Sequence, residues 1–359
     1  MNLKKNKKMQ QPAAPFSCQY TPNLPEFLIQ MQASIIITTY QAGKVIFISA
    51  KNENELIQLP RTFHKPMGVA LQGNKMAVAT KDEVIVLVND KRIASAYPRK
   101  PNTYDNFFLP RATYYTGQVD IHDLDYGKEG LWAVNTSFSC LTLVNDDFSF
   151  VPKWKPHFIS DLASEDRCHL NGMALQNGEP TFVTALGTEN TPQSWRKNIV
   201  NGGVLIHVPT NEIITKGLAM PHSPRFYKDD LMVLLSAAGE FGKIDTKTGK
   251  YETITKLDAF VRGLSIVGDY AFIGVSKLRQ NSSTFKHLDI AKLSNWSGVS
   301  VVHIPSGALV GQIKYLASVD EIYDIQVLPD ALRPGILNPY TEDYKKALSI
   351  PETTFWARG

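Results

Sequence analysis

Residues 64–80 read His-Lys-Pro-Met-Gly-Val-Ala-Leu-Gln-Gly-Asn-Lys-Met-Ala-Val-Ala-Thr, and residues 169–184 read His-Leu-Asn-Gly-Met-Ala-Leu-Gln-Asn-Gly-Glu-Pro-Thr-Phe-Val-Thr. Each stretch begins with His and contains a short apolar strand, a tight polar turn and a second apolar strand that ends in Thr. The spacing from the first Gly to the last Thr is the same in both. Looser copies of this unit begin at His122, His222 and Arg262.

A second hairpin follows each copy, because another pair of apolar segments is separated by a polar turn such as Asp245-Thr-Lys-Thr-Gly249. Each unit therefore has four short strands, and the units recur at roughly 50 residues, which is typical of the blades of a β-propeller. The strands are rich in β-branched and aromatic residues, and no helical segment is long. The sequence predicts an all-β protein.

Five complete units fill the chain from His64 to about Leu316. One strand-like segment remains after them, at residues 321–328, and three remain before them, at residues 34–40, 44–49 and 55–59. Together these four segments make a sixth blade in which the two ends of the chain meet, and this closure removes exposed sheet edges. We predict a six-bladed β-propeller, with five or seven blades as the alternatives.

Composition limits the classes of function. The chain has 359 residues, 43% of them hydrophobic, and a net charge of +4, but four lysines fall within the first eight residues. The remaining body is close to neutral, which argues against a nucleic-acid partner. Three widely spaced cysteines indicate neither disulfides nor a thiolate zinc site. With no apolar run of about 18 residues, we expect a cytoplasmic protein without a membrane partner. The domain prediction is a disordered tail at 1–16, one propeller domain at 17–339, and a C-terminal tail at 340–359, also expected to be disordered.

Polar residues recur where the predicted first strands begin. In a propeller these strands line the central channel, so their starts share one mouth of the channel. The six positions carry His64, His122, His169, His222, Arg262 and Glu321. Four histidines at one phase of the repeat predict a functional cluster. The alternative is an ancestral structural histidine that caps each blade.

Converging imidazoles bind transition metals or act as general acids and bases near neutral pH. We predict that His122, His169 and His222 bind a divalent Fe, Zn or Cu ion. The predicted catalytic groups are His64, Glu321 and Asp324, and Asp123 is expected to help orient the rings.

Further side chains are expected at the same mouth, from the ends of the second strands, from the long connection at 186–202, and from arginines suited to anions. The predicted substrate-binding residues are Asn135, Asn171, Trp195, Arg196, Arg225, Arg262 and Lys277.

The motifs Cys168-His-Leu-Asn-Gly172, Met220-Pro-His-Ser-Pro-Arg225 and Val275-Ser-Lys277 resemble an uncharacterised bacterial family known only as a domain of unknown function, sometimes joined to tetratricopeptide repeats. The resemblance covers about residues 20–330 and implies no established reaction. At the level of the fold, the chain is also similar to calcium-dependent lactonases and strictosidine-synthase-like propellers, whose Glu/Asn/Asp metal set differs from a His-rich ring. A metal site made only of His resembles that of the seven-bladed carotenoid-cleaving oxygenases.

We therefore expect an enzyme with a His-rich, metal-dependent site at the channel mouth, acting on a small or peptide-like anionic substrate. The alternative is a non-catalytic propeller that binds a protein or peptide partner on its top face. A third possibility is a scaffold with structural histidines.

Overall fold

The computed structural model describes residues 13–278, 285 and 287–357, and within them the strands form six sheets of four or five strands and one two-stranded hairpin. In chain order the first fourteen strands are β1 (Cys18–Tyr20), β2 (Ala33–Thr39), β3 (Lys44–Asn52), β4 (Glu55–Thr62), β5 (Val69–Gln72), β6 (Lys75–Ala79), β7 (Glu83–Asn89), β8 (Asn106–Tyr115), β9 (Ile121–Gly127), β10 (Gly130–Asn135), β11 (Cys140–Leu143), β12 (Val151–Trp154), β13 (Leu170–Gln176) and β14 (Glu179–Ala185). The remaining strands are β15 (Gly203–His207), β16 (Glu212–Leu218), β17 (Pro221–Tyr227), β18 (Asp230–Leu235), β19 (Glu240–Ile244), β20 (Tyr251–Lys256), β21 (Phe260–Val267), β22 (Tyr270–Ser276), β23 (Gly298–His303), β24 (Ala308–Tyr315), β25 (Asp324–Pro329), β26 (Pro334–Ile336), β27 (Ala347–Ser349) and β28 (Thr354–Trp356).

Helices in the described residues are short. They are α1 (Leu24–Gln30), α2 (Lys91–Ala94), α3 (Ile290–Leu293), α4 (Asp343–Lys346) and a 3-10 helix at Ser194–Asn198. None of them is long and apolar enough to cross a membrane.

The six large sheets are the blades of a propeller. Blade 1 contains β25, β2, β3 and β4; blades 2 to 6 follow in chain order and start at β5, β9, β13, β17 and β21. Each of these innermost strands contacts the innermost strand of the next blade, and β21 contacts β25, so the ring is closed. The predicted all-β, six-bladed propeller is confirmed.

Closure occurs in blade 1, where the C-terminal strand pairs with an N-terminal one. Strand β25 runs antiparallel to β2, with Asp324 opposite Thr38 and Val327 opposite Ile35. The strand starts at Asp324, three residues later than predicted, so Glu321 precedes it. Two further strands extend the outer edges of neighbouring blades: β1 pairs with β24, and β26 runs parallel to β8.

Strand β2 shows why the inner strands are apolar without interruption. All seven of its residues are buried. Successive side chains of a strand point to opposite faces. Ile35 and Ile37 pack with Phe272 of blade 6, whereas Ile36 packs with Val78 of blade 2. A blade with a neighbour on each face thus needs apolar side chains on both.

The innermost strands alternate around the ring between strands that accept an inter-blade hydrogen bond and strands that donate it. In blades 1, 3 and 5 a side chain near the start of the strand accepts a hydrogen bond from a backbone N–H of the following blade. The pairs are Asp324 with Val69 (2.9 Å), Asp123 with Met173 (3.0 Å) and Ser223 with Gly263 (3.1 Å). Blades 2, 4 and 6 supply that N–H.

A close backbone contact repeats with the same alternation. Blades 2, 4 and 6 each carry a glycine where a Cβ would lie about 3 Å from backbone atoms of the next blade. The glycines are Gly68 (3.0 Å from Asp123 Cα), Gly172 (3.0 Å from Ser223 N) and Gly263 (2.9 Å from Asp324 Cα). The structural unit is therefore a pair of blades, repeated three times. The two best-matched stretches, 64–80 and 169–184, belong to equivalent blades 2 and 4.

Part of the predicted C-terminal tail is folded. Residues 340–357 form α4 and the β27–β28 hairpin. The ring of Trp356 lies 5.3 Å from that of Tyr97 and 6.1 Å from that of Phe107, and Arg99 pairs with Asp343 at 2.7 Å. The expectation of disorder from residue 340 therefore fails over 340–357, because these side chains pack on blade 2. Residues 1–12 of the predicted N-terminal tail lie outside the described residues.

Candidate functional site at the mouth of the channel

His122 and His222 occupy equivalent positions in the first strands of blades 3 and 5. Two residues before each ring the backbone is left-handed, at Asp120 (φ 55°) and Met220 (φ 57°). This turn brings the Asp120 carbonyl to 3.1 Å from Nδ1 of His122, and the Met220 carbonyl to 3.0 Å from Nδ1 of His222. Both rings are thus oriented by the backbone of their own blade.

A hydroxyl at the end of the second strand of each blade completes the same arrangement. Thr136 Oγ1 and Ser236 Oγ each lie 2.8 Å from the Nδ1 atom of their histidine. Each hydroxyl donates its own hydrogen to a carbonyl of the following blade, at Leu170 and Val261, over 2.6 Å. The hydroxyl therefore accepts from the ring, and so does the backbone carbonyl. Both imidazoles carry their hydrogen on Nδ1, and Nε2 keeps its lone pair.

Both rings are held neutral. Burial, His169 and the Arg262 guanidinium lower the pKa of His122 well below its usual 6.5. Burial and Arg262 do the same to the pKa of His222. Near neutral pH each ring is therefore a hydrogen-bond acceptor at Nε2 and carries no charge.

His169 is held differently, because its blade belongs to the other kind. Its Nδ1 lies 2.9 Å from Oδ1 of Asp166, and Asp166 also accepts from Nε1 of Trp195 at 3.0 Å. The rings of His169 and Trp195 are 4.3 Å apart. Asp166 thus fixes the orientation of both predicted site residues.

Four side chains form a continuous contact around the mouth. The ring of His169 lies 4.7 Å from that of His122, which lies 5.4 Å from the ring of Tyr323. The Arg262 guanidinium stacks 3.4 Å above the Tyr323 ring. Tyr323 is the blade 1 counterpart of His122 in blade 3 and His222 in blade 5. Each of the three directly precedes the residue whose side chain accepts the hydrogen bond from the next blade.

A cavity of about 200 Å³ opens beside these side chains. Its lining combines charged, imidazole and apolar groups: His169, His222, Arg262, Lys277, Glu321, Gln41, Ser276, Met220, Phe260, Leu278 and Phe285. The first five were predicted site residues, and the structure brings them together. The apolar members were not predicted.

Arg262 lines this cavity and has a buried donor without a partner among the described residues. Its Nη1 lies 3.9 Å from Oε1 of Glu321. Its Nη2 is buried and makes no hydrogen bond of good geometry to a described residue, although the guanidinium lies close to the Tyr323 phenol. Nδ2 of Asn171, the residue that precedes Gly172 as Arg262 precedes Gly263, is likewise buried and unpartnered within the described chain. Ten buried side-chain N or O atoms of the described chain have no partner, and Arg262 is the only charged residue among them. A buried charged donor costs more to leave unpaired than a neutral one.

Arg225 and Asp324 are not among the residues that line this cavity. Arg225 binds both carboxylate oxygens of Asp123 at 2.9 Å, so Asp123 pairs with an arginine and does not orient the His122 ring. The oxygens of Asp324 accept from the N–H groups of Val69 and Ile325. Burial and the Asp123 carboxylate raise the pKa of Asp324 above its usual range. These groups hold the blades together.

Three further predicted site residues lie away from the cavity. The side chain of His64 is 52% exposed beside Asp82, because it stands one position too early in its blade and Lys65 takes the equivalent place. Asn135 is fully buried, and its Oδ1 accepts from the Phe138 N–H within a turn. Arg196 lies 4.4 Å from the Trp195 ring, and its Nε donates to Oε1 of Gln193.

The described residues show no arrangement of side chains that matches the predicted metal site. In the part of the chain that the structure describes, no three His, Cys, Asp or Glu side chains are arranged to hold a metal ion. The cation Arg262 also lies beside the rings of His122 and His222, and its charge disfavours a second cation there. Binding of Fe, Zn or Cu by His122, His169 and His222 stays a prediction.

A family model described as Domain of unknown function (DUF4915) matches residues 22–337. The chain belongs to this family. No curated protein matches the DUF4915 chain.

Two solved structures are similar to the DUF4915 fold at low identity. The WD40 domain of Neurospora crassa Pan2 is 11% identical, with 69% of this chain and 65% of that domain's chain covered, less than two thirds of its length, and a TM-score of 0.38. A chain of a nidogen/laminin complex is 8% identical, with 83% and 99% covered and a TM-score of 0.48. The assignment of six blades rests on the strand pairing described above.

Proposed function

We propose that the DUF4915 propeller binds a small organic anion in the cavity at the mouth of its channel. The observation that carries this proposal is the buried Nη2 of Arg262, which has no partner among the described residues. A buried donor without an acceptor costs about 1–3 kcal/mol. A carboxylate satisfies such a donor and neutralises the guanidinium, with which it pairs in a planar geometry.

The other walls of the cavity agree with an anion that has a small apolar part. Arg262 and Lys277 outnumber the one carboxylate of the described lining, Glu321, so the wall is net positive. The apolar contact comes from Met220, Phe260 and Leu278. Ligand sites in proteins commonly combine apolar walls with a few polar groups that fix orientation. The volume of about 200 Å³ limits the ligand to a small molecule or the end of a larger one.

The test is a calorimetric titration of the purified protein with phenylacetate, mandelate, succinate and inorganic phosphate. We expect at least one carboxylate to bind and to raise the Tm by mass action. Arg262→Gln should weaken that binding about 30-fold or more, the usual effect of removing one partner of a buried charge pair.

Arg99→Gln is the matched control, because Arg99 is an exposed arginine that pairs with Asp343 outside the cavity. Lys277→Gln gives an independent variant of the cavity. Equal affinity in the wild type and in both cavity variants would contradict the proposal, as would the absence of binding by every probe. Metal analysis of the same preparation tests the predicted ion.

A further inference from the structure

The cavity presents acceptors as well as cations. In the described part of the chain, the hydrogen-bond partners of His122 and His222 all lie at Nδ1, and none lies at Nε2. Because the one N–H hydrogen of each neutral ring is on Nδ1, Nε2 can accept a hydrogen bond but cannot donate one. His222 lines the cavity together with Arg262. Both side chains therefore border the same cavity of about 200 Å³.

This pairing restricts the chemistry of the ligand. A ligand with hydrogen-bond acceptors alone would satisfy Arg262. One of its acceptors would then face the lone pair of His222 Nε2, and the two would repel each other. The ligand therefore needs a donor close to its carboxylate. An ammonium group is such a donor, but among the described lining residues it would meet two cations, Arg262 and Lys277, and one carboxylate, Glu321, which already lies 3.9 Å from Arg262. A hydroxyl donates without charge.

We infer that the ligand is a hydroxycarboxylate, with its carboxylate on Arg262 and its neighbouring hydroxyl donating to Nε2 of His222. This inference rests on the proposed function and names its ligand class. Ser236 and the Met220 carbonyl act as positioning groups, because they fix the hydrogen of His222 on Nδ1.

Three probes of equal carbon skeleton test the inference: mandelate has the hydroxyl, phenylacetate lacks it, and phenylglycine replaces it with an ammonium group. A site built to bond a hydroxyl rejects an analogue without it strongly, so we expect mandelate to bind about 100-fold or more tighter than phenylacetate. Phenylglycine should bind more weakly than mandelate.

Variants separate this inference from the proposed function. His222→Phe should remove the preference for mandelate over phenylacetate, so the ratio of the two affinities is the readout. His207→Phe is the control, because His207 lies in β15 with its Nδ1 on Thr210. If phenylacetate or phenylglycine binds the wild type as tightly as mandelate, the hydroxycarboxylate inference fails and the anion site stands. If no acid binds, both fail.

A measurement on the wild type does not depend on a folded variant. In protein labelled with ¹⁵N-histidine, two buried residues should show the hydrogen on Nδ1 at pH 7. Mandelate should shift the Nε2 resonance of at least one of them, and phenylacetate should not. A hydrogen on Nε2 in both residues would overturn the inference.

Discussion

At the scale of the residue, the position of one hydrogen decides what a histidine offers. His122 and His222 differ in sequence context, yet a left-handed residue two positions earlier and a hydroxyl fourteen positions later give both the same partners. Neutral imidazoles with a free Nε2 follow from these contacts. The spacing of the histidines predicts their convergence, but only the geometry shows that Nδ1 of each ring is the nitrogen already hydrogen-bonded.

Acid should destabilise the protein through these rings. The folded pKa of His222 is depressed, so below pH 6.5 the unfolded chain binds a proton that the folded chain does not. The free energy of unfolding therefore falls as the pH falls below 6.5, by about 1 kcal/mol at pH 5.5 for each such ring. Urea unfolding at pH 7.5 and 5.5 measures this loss.

His222→Phe should reduce the loss of stability between the two pH values, and His207→Phe should leave it unchanged. The same loss in wild type and His222→Phe would show that the ring is charged in the folded protein.

At the scale of the element, the alternation of innermost strands explains a feature of the sequence. The glycines of blades 2, 4 and 6 lie against the backbone of the next blade, whereas blades 1, 3 and 5 carry Asp or Ser at the contact. This is why 64–80 matches 169–184 more closely than it matches the copies at His122 and His222. The copy at Arg262, in blade 6, shares the glycine contact but is otherwise less similar. A search for a repeat of one blade averages over the two kinds of innermost strand, so it misses the repeat of two consecutive blades.

Gly172→Ala tests this contact. The added Cβ would lie 2.5 Å from Cδ of Pro224 and 3.0 Å from the Ser223 nitrogen, and neither backbone nor a proline ring moves easily. We expect a loss of about 1–3 kcal/mol in the free energy of unfolding, as for other overpacked sites. Denaturant unfolding measures it. Gly73→Asn is the control, because Gly73 is left-handed with no atom within 4 Å of its Cβ position, and Asn tolerates that conformation. Equal stability of both variants would contradict the close contact.

At the scale of the whole molecule, the ring depends on strands from both ends of the chain. Deletion of residues 1–63 removes β2, β3 and β4 and leaves β25 without its partner. We expect an insoluble or loosely packed product, because an unpaired inner strand exposes its backbone and apolar side chains. Solubility and the cooperativity of thermal unfolding are the measurements. Deletion of residues 1–11 is the control and should unfold as the wild type does. A cooperative fold after the longer deletion would contradict closure through blade 1.

Repeat spacing and apolar patterning predicted the fold well, because every blade must bury both faces and therefore repeats the same pattern. The mouth of the channel and five of its cavity residues followed from the phase of the repeat. The repeat can be aligned to the sequence only to within one residue. In blade 2 this alignment placed His64 at the position that Lys65 occupies in the structure. Local pairing was not predictable either, since the carboxylate of Asp123 meets Arg225, which is distant in sequence. The packing of Trp356 on blade 2 was hidden for the same reason.

The most direct test of the central claim is a crystal structure of the protein grown with mandelate. We predict electron density for one mandelate in the axial cavity, with its carboxylate within hydrogen-bonding distance of Arg262 Nη2 and its hydroxyl within hydrogen-bonding distance of His222 Nε2. Density for water alone at Arg262, or mandelate bound only elsewhere on the surface, would contradict the account.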